Sequence, residues 1–185
     1  KMFEEMGMMT NKILNQDAER YGNSWGGGVP AFQKYFRKYQ IASNPLSKFL
    51  YRFLYHIYAH KNHIEIPRDT KIGAGLYIGH PFCITINSKA IVGCNCNIHK
   101  GVTIGQENRG VRQGTPIIGD CVWIGVNATI VGKITIGNDV LIAPNSYVNC
   151  DVPAHSVVLG NPCIIKHRDN ATENYINRKC NCDAD

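Results

Sequence analysis

"IIGDCVWIGVNATIVGKITIGNDVLIAPNSYV", residues 117–148, places an aliphatic residue at every sixth position: Ile118, Ile124, Ile130, Ile136, Ile142 and Val148. An α-helix needs apolar spacings of three and four, and an ordinary strand needs sustained alternation, so a strict six fits neither. Hexapeptide repeats instead build a parallel β-helix, in which short strands form flat faces and the chain turns at each corner. Upstream, the same beat falls on Ile72, Ile78 and Ile84, slips by two, and resumes at Ile86, Val92, Ile98 and Ile104 before a long interruption. Four positions after most beats comes a second small or apolar residue: Leu76, Phe82, Ala90, Cys96, Val102, Val122, Ala128, Ile134, Val140 or Ser146. Two positions in each hexapeptide are therefore expected to point inward. Three hexapeptides make a coil of about eighteen residues, so a left-handed parallel β-helix of roughly five coils is expected, in a mainly β chain. The glycines that follow many beats suit corner conformations that a Cβ would strain.

Ahead of the repeat, residues 2–20 and 31–60 read as helices, separated by a loop, "YGNSWGGGVP", that a triple glycine and a proline keep irregular. In "NPLSKFLYRFLYHIYAHKN", Leu46, Phe49, Leu50, Phe53, Leu54, Ile57 and Tyr58 recur at helical spacing. This organises the chain as an N-terminal helical region over 1–62, a β-helix domain over 63–167, and a C-terminal tail over 168–185 that caps the solenoid and ends loosely. Lys48, Arg52, His56, His60 and Lys61 flank the aromatic helix. Packing against the β-helix or a neighbouring subunit is the expected role of its apolar positions; peripheral contact with an anionic membrane is the alternative.

The 185 residues carry a formal charge of +6 whose basic residues are scattered. That suits attraction to anions such as phosphorylated cofactors, and it is not the footprint of a nucleic-acid binder. No apolar run approaches the ~20 residues of a membrane span, and the first residues lack a secretory h-region, so a soluble, cytoplasmic protein is expected. Lys1 ahead of Met2 reads as a tag remnant. Cys94 and Cys96 form one C-x-C, and Cys180 and Cys182 another. Neither has the C-x-x-C spacing of common zinc sites, so reduced thiols, some of them small core residues, are expected and no metal.

His80 is the second residue after the beat Ile78 and so faces outward, where an imidazole cannot be core filling. Glu65 lies fifteen residues earlier, nearly one coil. A carboxylate beneath the ring would fix its tautomer and leave the other nitrogen free to take a proton from a hydroxyl. Capping the open end of the β-helix is the other reading of Glu65.

"EIPRDTKIGAGLYIGH" at 65–80, "GVTIG" at 101–105, "GNPCIIK" at 160–166 and the interrupted repeat together resemble the serine acetyltransferase group of hexapeptide-repeat acyltransferases, which includes colanic-acid and capsule O-acetyltransferases. The resemblance covers roughly residues 46–167 and implies acetyl transfer from acetyl-CoA to a hydroxyl, with His80 as general base and Glu65 where serine acetyltransferases usually carry Asp. It also implies homotrimers with active sites between subunits, and a CoA groove along the C-terminal coils, with Gly105, Gly125, Ala143 and Lys166 as candidate cofactor contacts.

The departures concern the acceptor. Serine acetyltransferases carry an Asp directly before the catalytic His, and here Gly79 stands there. They carry an Arg-His pair before a proline, and ahead of Pro116 this chain has Gly114 and Thr115. The long loop "QENRGVRQGTP" makes Arg109, Arg112 and Thr115 the candidate acceptor contacts. Without the family's charges, a zwitterion would bind poorly. The expected function is therefore O-acetylation of a saccharide or polysaccharide precursor, with serine O-acetylation as one alternative and a non-catalytic trimeric scaffold as another.

Overall fold

The computed structural model describes residues 2–22 and 28–182, and the side chains of residues 12–22 and 28–182. Residues 23–27, half of the expected loop at 21–30, thus lie outside the described residues. Among the described residues, fifteen short strands, numbered in chain order, stack into three sheets around one triangular core. The first sheet holds β1 (Ile64–Glu65), β4 (Ile84–Ile86), β7 (Thr103–Gly105), β10 (Thr129–Val131) and β13 (Tyr147–Val148). The second holds β2 (Lys71–Ile72), β5 (Ile91–Val92), β8 (Ile117–Ile118) and β11 (Thr135–Ile136). The third holds β3 (Tyr77–Gly79), β6 (Asn97–His99), β9 (Trp123–Ile124), β12 (Val140–Ile142), β14 (Ser156–Leu159) and β15 (Ile164–His167). All pairings are parallel except β14 with β15, which closes the solenoid antiparallel.

The six-residue beat is the core. Ile98, Ile104, Ile124, Ile130, Ile136, Ile142 and Val148 have no exposed surface. The second inward position also holds, except at Phe82, which is 47% exposed. There the corner turns through left-handed backbone at His80 and Cys83, and the Phe82 ring swings out to meet His63 edge-on at 5.2 Å.

The role expected for the beat-following glycines is corrected. Left-handed corner positions are taken by Asn95, Cys121, Asn127, Asp139, Asn145 and His155, with φ between 53° and 59°. The glycines are needed for close approach instead: a Cβ on Gly73 would lie 2.7 Å from the carbonyl carbon of Gly93, and one on Gly137 only 2.4 Å from the nitrogen of Ala154. Each coil thus presses backbone against the next where a side chain would hold them apart.

The helical region is three helices: α1 (Met2–Tyr21), α2 (Ala31–Ile41) and α3 (Pro45–Lys61). The single stretch expected over 31–60 breaks at Asn44, whose side chain caps α3 by accepting from the nitrogen of Leu46 at 2.8 Å, with Pro45 in the first turn. α1 and α2 dock on the first coil through buried polar groups. Asp17 pairs with Arg37 at 2.8 Å and accepts from the nitrogen of Leu76 at 2.9 Å. Arg37 donates to the carbonyls of Ile72 at 2.7 Å and Gly73 at 2.6 Å, and Tyr21 accepts from the nitrogen of Ile78 at 2.8 Å.

α3 buries Tyr55 and Ala59, while Leu46, Phe49, Leu50, Phe53 and Ile57 stay exposed, so within one chain the solenoid does not cover that apolar stripe. Among the described residues no helix is long and apolar enough to cross a membrane.

Over its described residues, 168–182, the tail is tied to the solenoid. Asp139 accepts from the backbone of Ala171 and Thr172 and from the Thr172 hydroxyl, and the Asn95 carboxamide brackets Cys180, accepting from its nitrogen and donating to its carbonyl, both at 2.9 Å. Cys94 is disulfide-bonded to Cys182, with the Cys180 sulfur close by, so the two C-x-C segments meet across space rather than serving as four separate thiols.

Candidate active site

Strand register sorts the outward side chains into columns along the solenoid. Glu65 heads one on the first sheet, continued by Thr85, Thr103, Thr129 and Tyr147. Gly79 heads another at the edge of the third sheet, paired with His99. His80 follows Gly79 at the corner between these sheets, exposed and with φ 53°, and among the described residues its side chain makes no hydrogen bond. The ring is thus open to solvent at the corner.

Glu65 stands one coil away, exposed on the adjoining sheet, without a hydrogen bond to His80. It borders a cavity of about 360 Å³ lined also by Tyr55, His56, His60 and Pro67. The cap reading and the dyad reading thus share one location, the first coil beside the corner.

The other candidates are not brought together within the chain. Gly125 and Ala143 fall at the same edge as Gly79, at successive coils, but the space a Cβ on Gly125 would need is taken by the nitrogen of Pro144 at 2.6 Å. Gly105 lies at the far edge of the first sheet beside Val131, and Lys166 is exposed on β15 opposite Val157. The acceptor loop also leaves that far edge. Arg112 is tied to Glu107 at 3.0 Å, and the Thr115 hydroxyl donates to the carbonyl of Lys89 at 3.1 Å. The loop braces itself and the neighbouring coil, leaving Arg109 at its exposed tip.

His99 is a functional candidate that the sequence reading missed. The position after a beat is usually small, and here it carries an imidazole; that exception was the available clue. Its Nδ1 lies 2.8 Å from the carbonyl oxygen of Ile124, which can only accept, so Nδ1 carries the proton and Nε2 is an acceptor in the neutral ring. Burial pushes its pKa down, the carbonyl contact opposes this, and the proximity of His80 lowers it further.

Beside His99 lies a cavity of about 280 Å³. α1 contributes Arg20 and Tyr21, the third sheet Tyr77, Asn97, His99 and Trp123, and the tail Tyr175, Asn177 and Arg178. The rings form a continuous row, His99 to Trp123 at 4.6 Å and Trp123 to Tyr175 at 5.1 Å between centroids.

Residues 115–150 match the family described as bacterial transferase hexapeptide (six repeats). The fold is accordingly a parallel β-solenoid of hexapeptide repeats. More particularly, the chain is similar to serine acetyltransferases. It is 38% identical over 106 residues to that of Staphylococcus aureus (57% of this chain, 50% of the relative) and 33% identical over 117 residues to that of Synechococcus elongatus (63% and 48%). Among solved structures, Neisseria gonorrhoeae serine acetyltransferase in complex with serine superposes with a TM-score of 0.69 at 27% identity, covering 85% of this chain and 69% of that one. The chain spans half or less of the length of these curated relatives.

These relatives correct the expected acceptor. The reading of a saccharide or polysaccharide precursor rested on Gly79 and on the missing Arg-His pair, yet the curated relatives and the solved neighbours are serine acetyltransferases.

Proposed function

We propose that the chain transfers acetyl from acetyl-CoA to the hydroxyl of L-serine. The observation that carries this is His80: an exposed imidazole, without a hydrogen bond among the described residues, on the corner of a solenoid similar to serine acetyltransferases. His80 takes the hydroxyl proton as the serine oxygen attacks the thioester carbonyl, then returns a proton to the departing CoA sulfur; no covalent enzyme intermediate is needed. Glu65 on the neighbouring coil stabilises the imidazolium through space.

Acetyl-CoA is a co-substrate in this reading. Its candidate contacts fit unevenly, since Lys166 is free to meet a phosphate whereas Gly125 serves coil packing. Subunits associate as a trimer in the same reading, supported by Ile91 and Ile117, neighbours on the second sheet that are 38% and 49% exposed.

The test is release of CoA thiol from acetyl-CoA with L-serine, checked by detection of O-acetylserine. Turnover that depends on L-serine and disappears in His80→Ala supports the reading; no L-serine-dependent thiol release overturns it. Light scattering gives the subunit count.

A further inference from the structure

The sequence lacks the charged groups expected to read a zwitterionic acceptor, and the tertiary structure supplies others. We propose that the cavity between α1, the third sheet and the C-terminal tail is the acceptor's charge-reading subsite: Arg20 and Arg178 hold the carboxylate, and Nε2 of His99 accepts a hydrogen bond from the ammonium. This rests on the serine reading and deepens it.

Arg20 is only 5% exposed. Its Nε donates to the carbonyl of Gly75 at 3.1 Å and its Nη2 to the side-chain oxygen of Asn97, while Nη1 is buried with no hydrogen-bond partner. A guanidinium keeps its charge when buried, so an orphaned N–H on a residue that lines the cavity calls for an acceptor, which a small side-chain shift would let a carboxylate in the cavity supply. Arg178 reaches the same cavity from the tail, and a Cβ on Gly22 would lie 2.3 Å from its Nη1, so glycine at the end of α1 is what lets this guanidinium lie flat there. Among the described residues no carboxylate lines the cavity to neutralise the two arginines. Two guanidinium groups with no acid between them favour a planar anion, and a carboxylate matches their fork geometry.

The ammonium contact follows from the His99 tautomer. With Nδ1 committed to Ile124, Nε2 presents a lone pair, and the lowered pKa keeps that lone pair available near neutrality. Nε2 lies 2.7 Å from where a Cβ on Gly79 would be, the position from which serine acetyltransferases project their Asp. An acceptor nitrogen at the edge of the third sheet thus replaces an acceptor oxygen, and His80 is the next residue along the chain. Charged groups in the cavity would leave the acceptor's hydroxyl directed toward that corner.

The experiment compares L-serine with 3-hydroxypropionate, which lacks the ammonium, and L-serinamide, which lacks the carboxylate, as acceptors for the full chain. Arg178→Gln should raise KM about tenfold or more for L-serine and 3-hydroxypropionate and leave L-serinamide and acetyl-CoA unchanged. His99→Phe, which keeps a ring in place, should raise KM for L-serine and L-serinamide and spare 3-hydroxypropionate. Arg20→Lys, with its melting temperature checked because the residue is buried, should follow Arg178→Gln. L-serine turnover with unchanged KM in Arg178→Gln, or an equal loss with all three acceptors, overturns the subsite and leaves the serine reading standing. Wild-type protein that neither binds L-serine by calorimetry nor acetylates it overturns both.

Discussion

A Cβ on Gly79 would lie 2.5 Å from Cδ2 of His99, so the ring of one coil occupies the space that a side chain on the coil before it would need. The two positions are exclusive, because parallel register sets them face to face at the sheet edge. Gly79→Asp should therefore destabilise by about 1–3 kcal/mol as an overpacked contact. Adding His99→Ala should recover part of that loss. Denaturant titration of both single variants and the double variant measures the coupling, and strictly additive losses would refute the steric account.

The roles of His80 and Glu65 separate in kinetics. His80→Ala should lower kcat by about 10²–10⁴ without loss of fold, because the ring is exposed and outside the core. Glu65→Gln should cost less, since the two side chains are not hydrogen-bonded and the base survives. A larger loss at Glu65 than at His80 would reverse the assignment.

His99 and Asp139 should both cost stability as pH falls, in different pH windows. The folded-state pKa of His99 lies below its ordinary value of 6.5, so the unfolded chain binds more protons and stability rises with pH across the window from the folded pKa to just above 6.5. Burial raises the Asp139 pKa, but donors from Thr172, His155 and Ala171 outweigh it and leave the carboxyl below its ordinary 3.8. Its contribution is present above 3.8 and lost as pH falls through the folded value. Thermal midpoints followed from pH 3 to 8 should lose the near-neutral slope in His99→Phe and the acidic slope in Asp139→Asn.

Asp17→Ala should be among the most damaging substitutions outside the solenoid. It leaves Arg37, 2% exposed, without its carboxylate and removes an acceptor from the backbone of Leu76. Breaking one partner of a buried ion pair costs about 3–5 kcal/mol. Replacing both Asp17 and Arg37 by apolar residues should cost less than removing Asp17 alone, as urea unfolding can show.

The sequence alone determined the solenoid, because a coil has room inward for only two side chains per hexapeptide and that limit is written as a beat of six. It also determined that His80 faces outward, since position within the repeat settles whether a side chain faces the core or the solvent. Phe82 departed because its corner turns through left-handed backbone, which a count of six does not register. The glycines were found for the wrong reason: what they face is the next coil, some twenty residues away, its backbone at Gly73 and Gly137 and the His99 ring at Gly79. The cavity beside His99 was decided by tertiary structure alone. Arg20 and Arg178 stand 158 positions apart and meet only because buried polar groups dock α1 on the first coil while Asp139, Asn95 and the Cys94–Cys182 bond draw the tail back along the third sheet. Long-range contacts of that kind carry no period, so no local pattern in the chain announces them.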